Sequence, residues 1–186
     1  MNGRRQRMLA FAGGVAGAAL ALLGATQPWF TVRGMSFGAL AVGADIAAPS
    51  VTALSVAGLA LVGAVAIANT VVRRVLAAIQ LLLGLGVLIV TVRALMDPIT
   101  AVLPTVSTAT GVAGSDSLAA LVGSVDGSVW PWFSLAGGAV LMLTAAWTFM
   151  TARNWPGSGS KYGGQAIVKS PVSDWDALSD GADPTD

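Results

Sequence analysis

Residues able to do chemistry are few in this chain, and their types narrow the choices quickly. Among 186 residues there is no Cys and no His, and all nine acidic side chains are Asp. Disulfides, thiol chemistry and Cys/His metal sites are therefore excluded. A catalyst would have to be assembled from Asp, Ser, Thr, Lys and a single Tyr. Asp45, Asp97, Asp116 and Asp126 stand singly between apolar stretches, the pattern of solvated loops rather than of a paired acid and base. The expectation is a protein that is not an enzyme, with no catalytic, cofactor or metal site.

One short segment does have the spacing of a recognition element. In Ser173-Asp174-Trp175-Asp176-Ala177-Leu178, Ser173 and Asp176 stand three apart, as in a capping box with Asp in place of the usual Glu or Gln. A helix begun there would carry Trp175 and Leu178 on one face. These two residues are the candidate contact for a cytoplasmic or membrane protein partner; an incidental Trp is the competing reading. No nucleic-acid partner is expected, and the net charge of +1 by itself says nothing about partners.

The elements that position these residues are set by hydrophobicity. Charged residues make up 10% and hydrophobic residues 55% of the chain, with mean hydropathy +0.76. Soluble domains carry about a quarter charged residues, so the solvent for this excess is the lipid bilayer. Four apolar stretches cover residues 8–26, 51–68, 75–92 and 130–151. Each approaches the length needed to cross a hydrocarbon core as a helix, the form in which a backbone satisfies its own hydrogen bonds in lipid. Gln27-Pro28-Trp29 ends the first, Pro49 opens the second, Asp97-Pro98 stops the third, and Trp130-Pro131-Trp132 opens the fourth. Residues 69–74 read as a short hairpin turn between the second and third spans. The fold class is therefore all-α: a four-helix transmembrane bundle.

Orientation follows from the cations. Arg4, Arg5, Arg7, Arg73, Arg74, Arg153, Lys161 and Lys169 fall on one side of such a bundle, and only Arg33 and Arg93 on the other. The positive-inside rule then places both termini in the cytoplasm of a multi-pass cell-membrane protein. Trp29, Trp130 and Trp132 would sit at the outer interface and Trp147 and Trp155 at the inner one, as belt residues. Arg4-Arg5-Gln6-Arg7 before an apolar run has the form of a signal peptide. The length of the run, the Trp29 anchor and the lack of an A-x-A site before Gln27 favour a retained span.

Small residues recur at four-residue spacing: Gly13 and Gly17, beside Gly14, Ala18 and Ala21, in the first span, and Ala60, Ala64 and Ala68 in the second. Helices in lipid approach one another across such positions. The spans hold no ionisable side chain, which argues against an ion-coupled pump. Gln80, in the third, reads as an interhelical hydrogen-bond partner. Outside the spans, residues 30–32 and 37–42 read as a small hairpin on the membrane surface. Residues 97–129 are rich in Ser, Thr and Gly, with one short helix over 116–125 presenting Leu118, Leu121, Val122 and Val125. Residues 157–186 are polar and read as a flexible cytoplasmic tail, with too little apolar content to fold alone.

Several strings have a family likeness: Gln27-Pro28-Trp29, Gly43-Ala44-Asp45-Ile46-Ala47-Ala48-Pro49, Arg73-Arg74, Trp155-Pro156 with Gly159, Lys161 and Tyr162, and the tail from Trp175 to Thr185. Together they resemble the tryptophan-associated transmembrane protein family of Actinobacteria over nearly the whole chain. Ser158 and Lys161 depart from the Met and Arg usual in that family. The resemblance implies four spans and an association with tryptophan-biosynthesis genes; it supplies no activity and no functional residues to carry over. Two functions remain open on the sequence. One is a non-catalytic scaffold or accessory subunit that uses its tail; the other is a small transporter or exporter of an aromatic metabolite. A polar cavity between spans would favour the transporter, and a tight Gly/Ala-packed bundle the scaffold.

Overall fold

The computed structural model describes residues 3–154. The tail expected over residues 157–186, with Trp175 and Leu178, lies outside the described residues. Four long helices dominate: α1 (Gly3–Ala25), α3 (Ser50–Ile67), α4 (Thr70–Met96) and α7 (Trp130–Thr151). All four are long and apolar enough to cross a membrane. Between them lie β1 (Pro28–Gly34), β2 (Gly38–Gly43), α2 (Ala44–Ala47), α5 (Pro98–Thr110), α6 (Ser115–Leu121) and β3 (Ser124–Gly127), and a 3-10 turn (Ala152–Asn154) follows α7. The helices form a ring in which α7 packs on α1 and α4, and α3 closes the circle between α4 and α1. One end of the ring carries the start of α1, the α3–α4 turn and the close of α7. The other carries the strands and short helices. They are called here the turn end and the sheet end.

Side-chain placement inverts that of a soluble bundle. Leu82, Ile89, Leu143, Phe149 and other large apolar side chains face outward, while Ser55, Gln80, Thr91, Ser134 and Thr148 are buried. Lipid tails solvate Leu as well as a protein core does, so the interior is free to be small and polar. Two of the buried hydroxyls return to carbonyls of their own helix, Ser55 to Val51 O at 2.7 Å and Thr148 to Thr144 O at 2.8 Å, while that of Thr91 has no partner among the described residues. Ser134 instead crosses from α7 to Ala21 O of α1, at 3.1 Å.

The glycine face expected on α1 is an interhelical seam. A Cβ at Gly17 would stand 2.9 Å from Leu141 N and 3.0 Å from Gly137 O, both backbone atoms of α7. A second seam joins α4 to α7, where a Cβ at Gly84 would meet Gly138 O at 2.9 Å. In the second span the expectation fails. Ala60 is exposed and Ala64 and Ala68 are only half-buried. The buried face of α3 is Val51, Ser55, Gly58, Val62 and Val65: Val62 fits against Gly14 of α1, and Gly58 makes room for the side chain of Leu141.

The α3–α4 connection is also tighter than expected. Only Ala68 and Asn69 separate the helices, and the Asn69 side chain caps α4 by accepting from Val72 N at 3.0 Å. Arg73 and Arg74 thus lie in the first turns of α4 and not in a loop. Arg73 is buried, with 1% of its surface exposed. It donates to Ala68 O at 2.6 Å and Val65 O at 3.4 Å, carbonyls at the C-terminal end of α3 that have no intrahelical partner or share one. A cation there also meets the negative end of the α3 dipole.

The sheet end corrects the all-α reading. It carries a three-stranded antiparallel sheet in the order β2-β1-β3. The β1–β2 hairpin is the one expected, closed by Gly38 at φ 69°, a left-handed conformation that glycine adopts without strain. The third strand was not legible: the helix expected over 116–125 stops at Leu121, and Val125 pairs with Val32 in β3. Residues 97–129 also hold α5, whose Asp97 cap accepts from Thr100 N at 3.1 Å and whose end is turned by Gly111 at φ 68°. Hydrogen bonding from Thr100, through its side chain and then its backbone N–H, holds the Asp97 carboxyl below its ordinary pKa.

Candidate functional site

Three places in the described residues gather polar groups or open a cavity. The first is the junction of bundle and sheet, built around Trp29. Pairing of β1 with β2 runs Phe30 to Val42 and Pro28 to Gly43, so Trp29 is an extra residue in a β-bulge. The bulge lets consecutive side chains turn inward: Trp29 is 0% and Phe30 3% exposed. The Trp29 indole donates to Gly24 O at 2.8 Å, a carbonyl in the last turn of α1. Trp29 is therefore a core residue and helix cap, which corrects its expected place in an interfacial belt. Val32, Val42, Ala48, Val51, Val87, Val102, Val106 and Leu118 complete the same core, so the sheet is fixed to the bundle. Trp132, 63% exposed, and Trp147, 42% exposed, face outward from the bundle. On the sheet's opposite face Arg33 bridges to Asp126 at 2.6 Å with both side chains well exposed, a pair worth little to stability.

The second place is an open groove at the sheet end, where Arg93 and Asp97 flank Pro49, Met96 and Ala101. The third is a cavity of about 380 Å³ at the turn end, between α1, α3, α4 and α7. Met8, Ala10 and Phe11 of α1 and Val62, Val65 and Ala66 of α3 give it apolar walls. Three polar side chains reach it: Arg7, Gln80 and Thr148. Arg7 donates to Ala66 O at 2.6 Å, so α1 and α4 each send an arginine to the end of α3. Gln80 is 2% exposed and donates from Nε2 to Thr144 Oγ1 at 3.3 Å and Leu141 O at 3.4 Å. It is the interhelical partner expected of it, joining α4 to α7.

Toward the sheet end this cavity is closed. Leu141 and Val87 are each 0% exposed within the bundle, Val51 is 0% exposed at the sheet end, and the Gly17–Gly137 and Gly84–Gly138 contacts bring backbones together on both sides of α7. The cavity was not legible in the sequence. Arg7 read there only as a marker of orientation, and no spacing of apolar residues announces an unfilled volume. Among the described residues no three His, Cys, Asp or Glu side chains gather as a metal site would need. Trp175 and Leu178 fall outside the described residues.

No curated protein and no solved structure matches the chain. A family model described as tryptophan-associated transmembrane protein matches residues 11–185, which takes in most of the first span, the other three spans, the Trp29 bulge and residues 157–185. With that match over almost its entire length, the chain belongs to the tryptophan-associated transmembrane protein family.

Proposed function

We propose that this multi-pass membrane protein is a non-catalytic scaffold or accessory subunit of tryptophan biosynthesis, seated in the cell membrane with both termini in the cytoplasm. The observation that carries the reading is the sealing of the bundle by its glycine seams. At Gly17–Gly137 and Gly84–Gly138 the interior is filled by backbone against backbone, which leaves no room for a passage toward the sheet end. That packing suits a rigid platform and weighs against the export of an aromatic metabolite. The family match continues to residue 185, so the segment with Trp175 and Leu178 belongs to what the family has in common with this chain.

The orientation rests on charge. Arg5, Arg7, Arg73, Arg74 and Arg153 lie at the turn end, against Arg33 and Arg93 at the sheet end. Reporter fusions after Ala152 and at Asn69 are expected to read as cytoplasmic, and a fusion near Ser107 as external. A cytoplasmic reading at Ser107 would reverse the assignment.

The tail is where a partner would be found. Trp175 and Leu178 form an apolar edge once a helix begins at Ser173, and Asp174, Asp176 and Asp180 favour a groove lined by Lys or Arg. Affinity capture from native membranes, with the full chain and with a chain lacking residues 157–186, tests the scaffold reading. The full chain should retain a partner of tryptophan biosynthesis that the shortened one loses, and Trp175→Ala should lose it too without changing expression or topology. Identical capture by all three would remove the tail from the function.

A further inference from the structure

From the turn-end cavity we infer a binding site for a small ring-bearing organic anion that carries an N–H or O–H donor at the end remote from its charge. This goes beyond the scaffold reading and does not depend on the tail. The cavity is about 380 Å³, enough for a bicyclic ring with a short acidic side chain, and its walls are Met8, Phe11, Val62 and Val65. Apolar walls with a few convergent polar groups are the usual make-up of a small-molecule site.

Two polar groups give the cavity a direction. Arg7 is exposed in the outermost part of α1, and its bond to Ala66 O occupies only one of its five N–H donors. The remaining donors suit a carboxylate or similar anion. Gln80 lies further along the bundle, 2% exposed. Its orientation is fixed by Leu141 O, which can only accept, so the amide nitrogen faces α7. Its carbonyl oxygen is then left with no donor among the described residues, on a side chain that lines the cavity. That oxygen opens on the cavity and is not sealed in the core, so a ligand that supplies a donor can reach it and take the place of solvent there.

The same acceptor discriminates between occupants. A lipid could place its phosphate on Arg7, but its acyl chain would fill the cavity with methylenes and leave the Gln80 oxygen desolvated and unpaired. A ring with an N–H or O–H satisfies both ends. Phe11 and the valines offer that ring flat apolar contact.

The test uses the purified full chain in phosphatidylcholine nanodiscs, with radiolabelled indole-3-acetate as the probe of this class. Saturable binding at one probe per chain is expected. Arg7→Gln and Gln80→Met should each weaken it roughly tenfold, the scale of one lost hydrogen bond to a charged or buried group. The 1-methyl analogue, which lacks the ring donor, should bind the parent about tenfold more weakly and the Gln80→Met variant no more weakly than indole-3-acetate does, since the two changes remove one interaction. Ala66→Phe, at a half-buried wall position, should abolish binding by filling the space while the chain keeps its unfolding midpoint. Absence of saturable binding, or equal affinity of the parent for both probes, overturns the inference. Complete displacement of the probe when phosphatidylglycerol replaces phosphatidylcholine also overturns it and assigns the cavity to an anionic lipid.

Discussion

Gly17→Leu is expected to destabilise the bundle by about 3 kcal/mol or more, against about 1 kcal/mol for Leu20→Ala one turn along the same helix. The difference lies in what each side chain meets. At Gly17 even a single added carbon falls 2.9 Å from Leu141 N and 3.0 Å from Gly137 O. Those are backbone atoms in the middle of a helix, and they cannot rotate aside as a side chain would. The α1–α7 pair must separate along its length, which forfeits many dispersion contacts together, and the Ser134 bond to Ala21 O with them. Leu20 is half-buried, and its truncation removes one side chain from a surface that lipid or detergent can cover. Unfolding in mixed micelles by increasing SDS measures both variants. Equal midpoints would mean that the Gly17 face looks at lipid and that the seam does not hold the helices together.

Most of the bundle was legible because lipid imposes a single rule on length and polarity. The four spans, their order and their ends near Pro28, Pro49, Asp97 and Pro131 follow from apolar runs and their breakers. So did the role of Gln80, since an amide in a helix bathed by lipid must turn inward to find a partner. The sequence was less informative wherever tertiary contact overrides a local pattern. Ala60, Ala64 and Ala68 have the spacing of a packing face, yet α3 turns a face with Val62 and Val65 inward, because Gly14 of α1 makes the room that Val62 fills. Arg73 read only as a marker of orientation, but the end of α3 leaves carbonyls that need a donor, and a long side chain from α4 reaches them. The strand β3 is only Ser124–Gly127, too short and too polar to show alternation; it exists because β1 offers an unpaired edge. The turn-end cavity is the extreme case, since it depends on what four helices fail to fill.

The motif Gln27-Pro28-Trp29 is the clearest instance of a string that was noticed for one reason and works for another. On sequence grounds the Trp was an interfacial anchor, which would make it replaceable at small cost. In the structure it is the bulged residue of β1, fully buried, with its indole capping Gly24 O at 2.8 Å. It joins the last turn of α1 to the sheet, and Ser128, the residue after β3, binds the same stretch with its N–H on Trp29 O and its hydroxyl on Pro28 O, both at 2.8 Å. Trp29→Ala should therefore cost about 4 kcal/mol, the scale of emptying a buried aromatic site, and should detach the sheet before the helices separate. Trp29→Phe keeps most of the apolar volume but leaves Gly24 O with only the long Gln27 N–H contact at 3.4 Å, so a loss of about 1 kcal/mol is expected. Trp132→Ala is the control: at 63% exposed it touches little protein, and its effect should stay within about 0.5 kcal/mol. Hydrogen exchange read at β1, β2 and α1 separately distinguishes the outcomes. The core assignment predicts that Trp29→Ala raises exchange at β1 and β2 far more than within α1. If Trp29→Ala and Trp132→Ala leave the same protection everywhere, Trp29 is an interfacial anchor after all and the sheet is held by its other apolar contacts, Phe30, Val32 and Val42 among them.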